Sequence, residues 1–204
     1  MKRRQFLIGL PLAVSACTAQ EVWAPDDVIA RAIHRGTGPK SLTLYTMKNT
    51  GSDNGAHSAL MIDASQRVMF DPAGSWKQAR MPERNDVLFG VTPELEQYYV
   101  SFHARVTYYV VGQQIEVSPE VAERALILAL SNGPVAQANC TRATSRLIGQ
   151  LPGFESIRQT WFPNKLSDDF AKLPGVTTRE YREADADDKS IAAREIDAAL
   201  RAGQ

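Results

Sequence analysis

The sequence predicts a single α+β domain, and three observations carry that reading. The 204 residues are 44% apolar and 23% charged, which supplies one well-buried core and is marginal for two. Two short strand stretches, 59–63 and 67–71, flank the link Ala64-Ser65-Gln66 and read as a β-hairpin. Thr92-Pro93-Glu94 and Ser118-Pro119-Glu120 each set a capping hydroxyl before a proline at the first helical position, so each opens a helix. Internal repeats are absent, and 13 Gly with 11 Pro is near-average usage, which excludes collagen-like and low-complexity chains.

The elements follow in order. Pro25-Asp26-Asp27 followed by Val28-Ile29-Ala30-Arg31-Ala32-Ile33 is a short capped helix. Ser41 to Met47 alternates and reads as a strand. The hairpin ends at the turn Asp71-Pro72-Ala73-Gly74. The helix opened at Thr92 runs to about Phe102. Val106 to Val117, rich in Val, Tyr and Ile, is the longest strand candidate. The helix opened at Ser118 runs to about Leu130, where Asn132-Gly133-Pro134 stops it. Thr141 to Leu151 is an amphipathic helix with Ala143, Leu147 and Leu151 on one stripe. Ser167-Asp168-Asp169-Phe170 caps a further helical turn. From Thr177 the chain turns polar, with Glu183, Asp185, Asp187 and Asp188 close together. It reads as a solvated tail, helical at most between Lys189 and Ala202 and of little core value. The expected organisation is a targeting segment at 1–16, a linker with a short helix at 17–40, the folded domain at 41–176 and a charged tail at 177–204.

Residues 1–16 read as an address rather than as structure. Lys2-Arg3-Arg4 precede an apolar run from Phe6 to Val14, which is far short of the roughly 20 residues of a spanning helix and is broken by Pro11. Arg3-Arg4-Gln5-Phe6-Leu7 resembles the twin-arginine export motif. Val14-Ser15-Ala16-Cys17 resembles the lipobox of bacterial lipoproteins, which implies cleavage before Cys17, acylation of its thiol and a membrane-anchored protein in the cell envelope. Several acyl chains on one residue anchor stably where one does not. Cys140 would then have no intramolecular partner in an oxidising compartment.

Charge and composition exclude other classes. The chain holds 23 basic and 23 acidic residues; without the first 16 residues, 20 face 23, a net of about −3, which gives no footprint for nucleic acid. With two Cys and three His, a four-ligand zinc cluster is nearly excluded. No Gly-x-Ser-x-Gly elbow and no Gly-x-Gly-x-x-Gly after a strand occurs. Gly36-Thr37-Gly38-Pro39-Lys40-Ser41 is a turn, because Pro39 removes an amide that a phosphate loop needs. His34 and His103 read as surface or packing residues, and Tyr108 and Tyr109 as strand packing.

Two sites remain. Asn54-Gly55-Ala56-His57 sets a histidine at the mouth of a strand after a glycine turn. Gln137-Ala138-Asn139-Cys140-Thr141-Arg142 sets a cysteine where a loop enters a helix. The first helical turn presents free amides and partial positive charge, which favour thiolate, and Arg142 and Arg146 add positive potential. A thiolate nucleophile needs a general base, and His57 is the best placed of the three histidines. The competing assignment is an inert buried thiol and a turn histidine.

This pairing resembles the circularly permuted papain-like hydrolases, relatives of NlpC-type cell-wall peptidases, lecithin-retinol acyltransferase and the periplasmic Lnb N-terminal domain. In permuted members the histidine strand precedes the cysteine helix, as His57 precedes Cys140. The resemblance spans about residues 41–175, including Phe162-Pro163-Asn164-Lys165-Leu166. It implies a small antiparallel sheet packed on helices, one of which bears the cysteine. It also implies a third polar residue on the strand after the histidine. A hairpin centred near residue 64 sets Asp71 opposite His57, with Asp63 as the runner-up; a one-residue slip would turn the side chain away. For the oxyanion the Cys140 amide is the first candidate, with Gln137, Asn139 and Tyr45 beside it.

The expected activity is an envelope-anchored cysteine hydrolase that cleaves an amide or ester through a thioester on Cys140, with no cofactor. The expected substrates are peptidoglycan peptides or lipid and acyl groups. The alternatives are an acyltransferase, or a non-catalytic binding or assembly lipoprotein on the same scaffold.

Overall fold

Among the described residues the first helix is α1 (Asp26–Ala32), which leads into β1 (Ser41–Asn49), β2 (Gly55–Asp63) and β3 (Arg67–Phe70). Two short strands, β4 (Glu83–Arg84) and β5 (Val87–Phe89), precede α2 (Pro93–His103) and β6 (Tyr108–Glu116). Then follow α3 (Pro119–Leu130), α4 (Cys140–Ile148), α5 (Pro163–Phe170), β7 (Thr177–Tyr181) and α6 (Lys189–Ala202). The structure, a computed structural model, describes residue 19 and residues 21–202. The targeting segment and Cys17 lie outside the described residues.

The strands form one antiparallel sheet in the order β4-β5-β3-β2-β1-β6-β7. Its central strands are buried on both faces, and side-chain alternation sorts them into two cores. Leu42, Leu44, Leu60, Ile62, Val68 and Phe70 pack under α3, α4 and α5. Tyr45, Met47, Ala59, Met61 and Met69 pack under α2 and α6. Each fully buried Leu, Ile or Phe contributes about 1.5–3 kcal/mol of transfer free energy, so the two cores together hold the sheet between its helices. The class is therefore α+β.

The hydroxyl caps form as the sequence dictates. Thr92 accepts from the Leu95 amide and Ser118 from the Val121 amide, each with Pro at the first position.

Four elements differ from the expectation. The hairpin pairs Leu60 with Phe70 and Asp63 with Arg67, so its centre is residue 65 rather than 64. Extended by one position, this register sets Asp71 across from Ala59, two residues along from His57 but on the same face. Ser167 does not cap a helix: α5 starts at Pro163, and the Ser167 hydroxyl inside it bonds the Gln113 side chain of β6 at 3.0 Å. The strands β4 and β5 carried too few residues to show a period. The segment after Thr177 is also no mere tail. β7 is the exposed edge strand beside β6, and α6 drives Ile196 and Leu200 into the second core. Ile196 and Leu200, four residues apart, share one face of α6 and meet the core, while Arg194, Glu195, Asp197 and Arg201 stay exposed, which is what a helix laid on a surface needs.

Candidate active site

The site forms where β3 stops. Its ladder with β2 ends at the Leu60–Phe70 pair, so the backbone of residues 57–59 has no β3 partner. The N-terminus of α4 fills that gap. Thr141 and Ser58 share a hydroxyl–hydroxyl bond at 3.0 Å, and the Thr144 hydroxyl donates to the Ser58 carbonyl at 3.5 Å. Ala138, at φ 63°, turns the chain into the helix. Asn139 stands at the N-cap without capping the helix through its side chain, so the first-turn amides stay open. Gly55 lets α5 come close on the other side, since a Cβ there would crowd Pro163 and Asn164.

The thiol of Cys140, 9% exposed, lies 3.8 Å from the Thr141 hydroxyl and close enough to His57 and the Ser58 amide to feel both. The His57 ring, on the opposite face of β2 from Ser58, reaches the same gap because no strand blocks it. Its Nε2 lies 2.6 Å from Asp71 Oδ1. With Asp71 ionised, Nε2 carries the proton and donates, which leaves Nδ1 as the ring atom for the thiol. Asp71 is 3% exposed and also accepts from the Tyr99 hydroxyl at 2.9 Å. Gly74 makes room for it, because a Cβ at that position would overlap the carboxylate. The expected trio of Cys140, His57 and Asp71 therefore meets in one place, although the Asp71 contact is diagonal rather than directly across the strands.

Electrostatics follow from this geometry. Burial pushes the Cys140 thiol up, but the hydrogen bond and charge of His57, the Ser58 amide and the Thr141 hydroxyl outweigh it and bring the thiol down to about 7. Burial pushes His57 down, but the Asp71 charge and hydrogen bond, with the thiol's own contribution, raise it to about 10. Burial also opposes ionisation of Asp71, yet His57 and the Tyr99 hydroxyl hold its carboxyl below the usual range. Near neutral pH the pair is thus biased towards thiolate and imidazolium.

A cavity of about 280 Å³ opens at His57, and Met47, Ser75, His103, Tyr108, Gln137 and Lys189 are among the residues that line it. Gln137, exposed, is the side-chain oxyanion candidate that reaches it; its carbonyl is held by the Asn139 side-chain amide at 3.0 Å. Tyr45 is a correction. Its hydroxyl donates to Glu96 at 2.5 Å and opens on a separate cavity, so it has no donor left for an oxyanion at Cys140. Asp63 is likewise elsewhere, at the far end of β2 beside Lys40 and Arg67. Arg142 lies over the Trp161 ring, and Arg146 bonds the Asn132 side chain at 2.6 Å. Among the described residues, no group of three or more His, Cys, Asp or Glu is placed to hold a metal, and no helix is long and apolar enough to cross a membrane.

Sequence reasoning missed Tyr99, His103 and Gly74. His103 is buried, stacks 6.4 Å from the His57 ring and donates from Nδ1 to the Tyr99 carbonyl at 2.7 Å. Burial, helped by the charges of His57 and Lys189, drives it down to about 4, so it stays neutral beside the imidazolium. The one signal for this pair was its i, i+4 spacing on α2, which puts both side chains on one face.

No family model, no curated protein and no solved structure matches this chain.

Proposed function

We propose that the chain is a cysteine hydrolase of the permuted papain-like kind, exported to the bacterial envelope and held on the membrane through lipid on Cys17. The observation that supports it most is the relay Cys140–His57–Asp71: a thiol lowered to about 7 at an open helix N-terminus, next to an imidazole whose Nε2 is held at 2.6 Å by a buried carboxylate. An inert core thiol would be raised by burial alone.

The chemistry balances simply. Cys140 sulfur bonds the substrate carbonyl carbon, and the carbonyl oxygen, as oxyanion, faces the Cys140 amide and Gln137. As the carbonyl–leaving-group bond breaks, imidazolium His57 protonates the departing amine or alcohol, leaving a thioester. Water then attacks the thioester, gives its proton to His57 and expels the thiolate, which releases a carboxylic acid. Asp71 keeps Nε2 protonated throughout and so fixes the ring orientation. An alcohol or amine in place of water would make the same site an acyltransferase. Peptidoglycan peptides and lipid or acyl groups are the substrates that an envelope location offers.

The test is turnover of 4-nitrophenyl esters with intact-mass capture of an acyl adduct on Cys140. Turnover that survives Cys140→Ala overturns the reading. Mass spectrometry of the mature N-terminus checks the anchor: an unmodified chain that still starts at Met1 excludes it.

A further inference from the structure

The cavity beside His57 has an unbalanced lining. His57 and Lys189 are its cationic residues, and none of its ten lining residues is acidic. Asp71 lies behind the His57 ring and is occupied by it. The acids nearest Lys189 in the chain are turned to other partners: Asp185 pairs with Arg105 at 3.0 Å, Asp187 bonds Thr107, and Asp188 accepts from the Ser190 amide and hydroxyl. Lys189 itself forms no ion pair among the described residues, and its ammonium rests 5.1 Å over the Phe102 ring. The remaining polar lining, Ser75, Tyr108 and Gln137, is neutral. At about 280 Å³ the cavity falls just below the ~300–1,000 Å³ range of small-molecule sites.

We propose that this cavity selects a short acyl donor carrying a carboxylate, and that Lys189, brought to its rim by α6, is the residue that reads that charge. The inference rests on the hydrolase reading and narrows its substrate class. A compact acyl group with an anionic substituent fills the volume and neutralises the Lys189 ammonium. A cation on a flexible stem recognises charge without demanding a planar fork, so it suits carboxylates in varied poses.

The experiment uses the full-length protein and a matched pair of alkylating agents, iodoacetate and iodoacetamide, which differ chiefly in charge. Adducts are read at the peptide that contains Cys140, and the iodoacetate-to-iodoacetamide rate ratio is referred to that of 2-mercaptoethanol. The native chain should show a ratio above the free thiol's, falling towards it in about 0.5 M salt as the charge is screened. Lys189→Gln should lower the ratio about fivefold, the size expected for removing one partly solvated charge near the reacting atom. Lys189→Arg should restore it, and Lys189→Glu should push it below the Gln variant's value. A ratio within twofold of native in Lys189→Gln, or a native ratio indifferent to salt, overturns this inference alone. If Cys140 reacts with both reagents as slowly as an ordinary buried thiol, the hydrolase reading falls and takes the inference with it.

Discussion

The Asp71 carboxylate fills the space that a side chain on Gly74 would need. The Gly74 amide also donates to the Asp71 carbonyl at 3.0 Å, so the turn wraps the residue on two sides. A bare backbone at position 74 is therefore part of what holds Asp71 against His57. Gly74→Ala should displace the carboxylate from Nε2 while leaving both cores intact. The expected result is a His57 that holds its proton less tightly and a Cys140 thiol that titrates above about 7. Iodoacetamide alkylation measured across pH checks it; an unchanged thiol titration would falsify this account of Gly74.

The pH dependence of the native protein should be bell-shaped. Below about 7 the thiol takes up its proton, and above about 10 His57 loses the one that the leaving group needs. Because the two groups are coupled, the limbs report the pair rather than either residue. In His57→Ala the lowering influence is gone and burial dominates, so the alkylation midpoint should move up towards or beyond the ordinary ~8.5 of a free thiol.

Single losses should be unequal in stability and alike in activity. Cys140→Ala removes one small side chain and leaves His57 paired with Asp71, so it should cost no more than about 1 kcal/mol. His57→Ala strips a buried carboxylate of its cation and should cost about 3–5 kcal/mol at neutral pH. Urea unfolding separates the two. Ester turnover should fall to background in both, and the double variant should be no worse than either, because nucleophile and base act as a unit.

His103 should make the fold acid-sensitive. Its value in the folded chain, about 4, lies below the ordinary 6.5, so between these limits the unfolded chain binds more protons. Stability from this residue is then complete above pH 6.5 and is lost as pH falls towards 4, by about 3 kcal/mol. Thermal unfolding of His103→Gln, compared with the native protein at pH 7 and pH 4.5, should show a smaller loss in the variant.

Ile196 and Leu200 tie α6 to the second core. Ile196→Ala and Leu200→Ala should each destabilise by about 2–5 kcal/mol if the helix stays docked on native contacts. Limited proteolysis should then cut first after Tyr181. Equal stability in both variants would return the segment to the status of a solvated tail.

The sequence alone determined the α+β class, because strand alternation and hydroxyl–proline helix starts are local signals that neighbours in the chain supply. It likewise singled out Cys140 and His57, since few histidines competed and the loop-to-helix position of the thiol is legible from residues 137–142. Asp71 was legible only in its parity. Period-2 alternation says which face a residue takes, while the register that made the contact diagonal depends on where the Ala64-Ser65-Gln66 turn closes. What the tertiary structure decided is everything that comes from pairing distant segments. Tyr45, two positions from Met47 on the same face, went to Glu96 because α2 lies over that part of the sheet. Tyr99 and His103 reached the site from a helix whose sequence showed only its own amphipathic face. Lys189 came to the cavity, and β7 to the sheet edge, because a polar strand and a sparse apolar stripe gain their energy only when a partner surface exists. That surface is assembled from α2 and strands far apart in the chain, and no window of the sequence contains it.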